Sequence, residues 1–119
     1  NKNNLNKIVK IVHTEVRKKM NNFLNKNKNK KIIVLDIPLL LENKINKKKD
    51  ILVFVQSRQS DIIKQLKKRK NFNPKLFKKF KAIQYSNTYK KKKSHFIIKN
   101  DFTKKSVNIG IKNILNELN

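Results

Sequence analysis

The segment Asp36-Ile37-Pro38-Leu39-Leu40-Leu41-Glu42-Asn43 sets an acid on each side of an apolar loop, directly after a run of β-branched residues. Pro38 stiffens the exit from that run, and Leu39 and Leu40 can wall an apolar pocket. By spacing alone, a plain strand-to-loop transition with two surface acids accounts for the pattern more simply. His13 and Arg17 stand four apart, so on a helix both side chains can address one ligand or one acidic neighbour; a solvated or structural histidine is the ordinary alternative. Arg occurs only at Arg17, Arg58 and Arg69 in a chain rich in Lys. Arg69 closes a helical stretch, where a cation is also favoured by the helix dipole.

These residues need elements to hold them. Leu5, Ile8, Val9, Val12, Val16, Met20 and Phe23 recur at three and four, which predicts an amphipathic helix from Leu5 to Leu24. Ile32–Asp36 and Ile51–Val55 are apolar on both faces and predict buried strands, and Phe96–Ile98 predicts a third. Ser57 or Ser60 can cap a helix over Asp61–Arg69. Residues 71–93 are strongly basic, with Leu76, Phe77, Phe80 and Ile83 as a narrow apolar face, and predict a mobile, lid-like excursion. Ile109, Ile111, Ile114 and Leu115 mark a final helix over Val107–Leu118.

Strands buried on both faces and separated by helices predict an α/β fold: a parallel sheet flanked by helices. Ligands in such sheets sit beyond the carboxyl ends of the strands, here Asp36–Glu42, Gln56–Arg58 and Lys99–Phe102.

With 119 residues the chain is sized for one small domain. It has no Cys and two His, which excludes disulfides and thiolate metal sites and argues against a histidine cluster. The absence of Cys is compatible with a reducing, cytoplasmic setting, which is the localisation expected. The longest apolar run is far too short to span a bilayer, so the chain should be soluble. The net charge of +25 suits a nucleic-acid surface. Lys and Asn are nevertheless spread through every segment, and the Arg that suits bidentate contacts is scarce. AT-rich codons would produce the same Lys, Asn and Ile excess, so a nucleic-acid partner is judged unlikely.

Taken together, His13-Thr14-Glu15-Val16-Arg17, Asp36–Glu42, Gln65-Leu66-Lys67-Lys68-Arg69, Gln84 with Lys90, Ser94-His95 and Lys99-Asn100 resemble, in order and spacing, the dephospho-CoA kinase family, a branch of the P-loop nucleotide kinases. The Pro-Leu-Leu-x-Glu element is its most specific part. The departures are Thr14 for Pro, Gln65 for Arg, His95 for Asp and Lys99 for Asp. The family's phosphate loop, Gly-x-x-x-x-Gly-Lys-Ser/Thr, has no counterpart, because Gly110 is the only glycine.

The resemblance implies residues 1–119 as the C-terminal part of one kinase domain, an incomplete three-layer P-loop fold with its lid at about 71–93. It further implies ATP as phosphoryl donor, Mg²⁺, and dephospho-CoA as small-molecule substrate. On that basis His13, Arg17, Leu39, Leu40 and Glu42 would bind the substrate and Arg69 would be catalytic, neutralising the transferring phosphate. Asp36 would face the metal, and Asn100 would lie near the adenine. A basic nucleic-acid-binding module is the alternative, and a different P-loop kinase, such as an adenylate or shikimate kinase, is a second.

Overall fold

The computed structural model describes residues 2–119. In chain order the elements are α1 (Lys2–Lys26), β1 (Val53–Gln56), α2 (Gln59–Lys67), α3 (Pro74–Ile83), α4 (Asn87–Lys93), β2 (Phe96–Lys99) and α5 (Lys104–Leu118). They fall into two compact units, one ending at Lys47 and the other running over Lys48–Asn119.

In the first unit, α1 follows from its apolar spacing. Leu5, Val9, His13, Val16, Met20 and Leu24 are half-buried and form one stripe at intervals of three and four, with His13 inside it. Ile8, Val12 and Phe23, also expected on the covered face, are about half exposed. The helix ends where the Asn27 side-chain amide donates to Phe23 O at 2.8 Å and Lys30 N–H donates to Asn27 O at 2.9 Å.

The strand expected over Ile32–Asp36 does not form: these residues have no assigned strand, and Val34 is 82% exposed. A β-branched run supplies propensity, but a strand exists only through a hydrogen-bonded neighbour. Among the described residues the only paired strands are β1 and β2. The α/β expectation therefore reduces to five helices with a two-stranded parallel sheet.

In the second unit β1 and β2 pair in parallel, with Val53 opposite Phe96, Phe54 opposite Ile97, Val55 opposite Ile98 and Gln56 opposite Lys99. Ile98 is buried, and α5 packs over it at Gly110. A Cβ added there would meet Ile98 Cγ2 at 2.8 Å, so the close seating of helix on strand depends on the missing side chain.

The segment between α2 and β2 is two helices. Asn73 Oδ1 caps α3, accepting from Lys75 N–H at 3.0 Å and Leu76 N–H at 3.3 Å, with Pro74 in the first turn. Ser86 Oγ caps α4 by accepting from Tyr89 N–H at 3.2 Å. The rings of Phe72 and Phe77, and of Tyr85 and Tyr89, are 6.0 and 5.0 Å apart, which gives this segment small aromatic anchors. No helix among the described residues is long and apolar enough to cross a membrane.

Candidate functional site

The first cluster belongs to the first unit. Arg17 Nε donates to His13 Nε2 at 2.9 Å, and Arg17 Nη2 donates to Asn43 O at 3.1 Å, with Lys44 O at 3.5 Å. One guanidinium thus joins two segments the sequence singles out separately, the α1 face and the loop after Pro38. His13 accepts at Nε2, so its imidazole is neutral and carries its proton on Nδ1.

The loop is a compact turn in which Asn43 N–H donates to Leu39 O, Ile45 N–H to Leu40 O and Lys44 N–H to Leu41 O, at 3.0, 3.0 and 3.1 Å. Leu39 and Lys44 take φ of 55° and 52°. For a leucine this left-handed backbone costs on the order of 1–2 kcal/mol, and such strain persists where the surroundings hold it in place. Leu39, Leu40 and Glu42 are half-buried, Ile45 is buried, and Asp36 is exposed. The guanidinium is therefore held against the carbonyls that end a turn whose leucines are half-buried.

The second site is a cleft of about 340 Å³ at the carboxyl ends of β1 and β2, lined by Gln56, Ser57, Arg58, Asp61, Lys99, Asn100, Asp101 and Ser106. Its position is the one the sheet argument anticipates. Asn100 is its centre: its N–H donates to Gln56 O at 2.8 Å, its carbonyl accepts from Ser57 Oγ at 2.8 Å, and its Oδ1 accepts from Phe102 N–H at 2.8 Å. Ser57, expected as a possible helix cap, is instead this cross-strand donor, and Arg58 occupies the cap position of α2 without a side-chain cap.

Asp61, which the sequence marked only as the start of a helix, pairs here with Arg58 at 3.0 Å in the first turn of α2. Ser106 is the other lining residue that the sequence reading missed, whereas Asp101 lies within the Lys99–Phe102 strand end expected to face ligands. Asp101 Oδ1 accepts from the Thr103 hydroxyl, from the Ser106 hydroxyl at 2.7 Å and from Thr103 N–H at 2.9 Å. These donors, the Thr103 hydroxyl foremost, lower its pKa from 3.8 to about 2. The signal available was the Asp-x-Thr spacing ahead of α5, which Thr103 caps through Ser106 N–H.

Arg69 lies two residues past the end of α2; it is exposed and is not among the residues lining the cleft. His13, Arg17 and the 39–44 loop are brought together in one unit, whereas Asn100 and Arg69 belong to the other. Among the described residues no three His, Asp or Glu side chains gather as a metal cage.

The family model for dephospho-CoA kinase matches residues 1–106. No curated protein matches the chain. The matched stretch takes in α1 with His13 and Arg17, the loop they hold, both strands and the cleft as far as Ser106. The chain belongs to the dephospho-CoA kinase family.

Proposed function

We propose that the chain acts in the ATP-dependent phosphorylation of the ribose 3′-hydroxyl of dephospho-CoA, giving coenzyme A. The observation that supports this most is the Arg17 clamp, which links the helix carrying His13 to the loop carrying Leu39, Leu40 and Glu42. In this reading these five residues make the acceptor side. The leucines take apolar surface, and Arg17 with the Nδ1–H of His13 offers donors to phosphate and ribose oxygens.

Asn100 takes the nucleotide side, in a cleft at the small end of the roughly 300–1,000 Å³ usual for ligand sites and so suited to a nucleoside. Arg69, on the basic segment that follows α2, neutralises the transferring phosphate. Mg²⁺ keeps most of its waters and is commonly held by one or two carboxylates plus substrate phosphates. A single exposed Asp36 fits such an outer contact and would not fit an all-protein cage. When bound, ATP and Mg²⁺ supply the transferable phosphoryl group and spread its negative charge. In the transfer the ribose oxygen forms a bond to the γ-phosphorus, the bond to ADP breaks, and the protein positions groups and stabilises charge.

The Gly-x-x-x-x-Gly-Lys-Ser/Thr cradle is not found in these 119 residues, whose only glycine sits in α5. In the proposal it is supplied by polypeptide outside them, together with the base that takes the hydroxyl proton. Two preparations test this: the 119 residues alone, and the same residues preceded by a segment bearing that loop. The first is expected to make no coenzyme A from ATP and dephospho-CoA, and the second to make it. Turnover by the first would refute the cradle assignment, and a folded but inactive second would refute the substrate assignment.

A further inference from the structure

In a regular parallel pair, a residue facing its neighbour accepts from the strand position one ahead and donates to the position one behind. Leu52 O follows this rule, accepting from Phe96 N–H at 3.2 Å and, in a shared bond, from His95 N–H at 2.8 Å. Leu52 N–H should then donate to Ser94 O. No such bond forms: Ser94 is the C-cap of α4, already extended at φ −85° and ψ 147°, and the ladder begins only at Val53 opposite Phe96. Leu52 N–H instead donates to His95 Nδ1 at 2.9 Å. The backbone N–H and C=O of Leu52 are therefore both met by His95, 43 residues away in sequence.

We propose that His95 is a positioning residue: its neutral imidazole, protonated on Nε2, takes the place of the backbone acceptor that a continued ladder would use at Ser94 and so fixes the register of β1 against β2. An amide N–H donor requires a lone pair on Nδ1, which sets the tautomer. The register matters beyond the clip. Four paired positions further on, the same ladder delivers Gln56 and Asn100, whose backbones bond to each other at 2.8 Å and line the cleft. A slip of one residue would turn Asn100 to the other face of the sheet. The inference deepens the nucleotide side of the proposed function, but its test reads tautomer and register instead of turnover, so the two can fail separately.

The test uses the full 119-residue chain, labelled with ¹⁵N. Long-range imidazole spectra are expected to show His95 with its proton on Nε2 and an unprotonated Nδ1; a proton on Nδ1 would overturn the assignment. His95→Asn keeps an acceptor oxygen near the place of Nδ1, whereas His95→Leu fills similar space without one. Leu52 amide exchange is expected to quicken about fivefold to tenfold in His95→Leu, the effect of one net hydrogen bond, with the Asn100 amide signal moving as well. In His95→Asn both should stay near the native values. Equal behaviour of the two variants, whether both native-like or both loosened, would contradict the positioning role.

Discussion

Ile32–Asp36 and Ile51–Val55 have nearly the same character, five residues dominated by β-branched and large apolar side chains, yet only the second lies in a sheet. The second run meets Phe96–Lys99 in parallel, its first peptide is held by His95, and α5 closes over Ile98. The first run has no assigned secondary structure, with Val34 82% exposed, and its unit is tied together by side-chain bonds from Arg17 to a loop. Composition sets what a segment can become, and long-range partners decide what it does become.

The sharpest way to break this comparison is to loosen the partner of the second run. Gly110→Ala brings a methyl to within 2.8–3.2 Å of Ile98, at its Cβ and branch carbons, which have little freedom to yield. Overpacking of about 1–3 kcal/mol opposes the roughly 1 kcal/mol that alanine gains over glycine in a helix. A net loss of up to about 2 kcal/mol in chemical unfolding is expected. A stabilised variant would show that α5 does not seat on β2 so closely.

A smaller effect is expected from acid. Asp101 has its pKa lowered to about 2 in the folded chain, so its contribution is fully present above its unfolded value near 3.8 and is lost as pH falls towards 2. The contribution is modest because the carboxylate faces water. Hydrogen exchange at the start of α5 should quicken across that pH window in the native chain. Asp101→Asn should remove the pH dependence, and an unchanged profile would count against the Thr103 and Ser106 bonds.

Much of the helical framework was legible. The spacing from Leu5 to Leu24 locates α1, and the final helix expected over Val107–Leu118 is α5, which begins three residues earlier. The strands β1 and β2 fall within a residue or two of their expected bounds. The failure at Ile32–Asp36 is physical, because periodicity records which faces are apolar and carries nothing about whether a neighbouring strand is at hand. Helix α4 was hidden because Lys90 to Lys93 show no apolar period. At the sites, the i, i+4 pairing of His13 with Arg17 was available from spacing. The bond from Arg17 to the loop, 26 residues on, was not. The cleft's place at the strand ends followed from topology, while Asp61 and Ser106 entered it through helix starts whose placement only the tertiary fold determines.

The central claim is that His13, Arg17 and the Leu39–Glu42 turn form the acceptor side of a dephospho-CoA kinase. Titrating dephospho-CoA into the ¹⁵N-labelled chain, with one arm in unmodified protein and one in Arg17→Met, tests it directly. The account predicts saturable shifts at the amides of His13, Arg17 and Leu39 to Glu42, and binding weakened about tenfold or more in the variant through loss of charge-assisted bonds worth about 1.5–3 kcal/mol. Shifts confined to α3, α4 or α5, or equal binding by native protein and Arg17→Met, would contradict it.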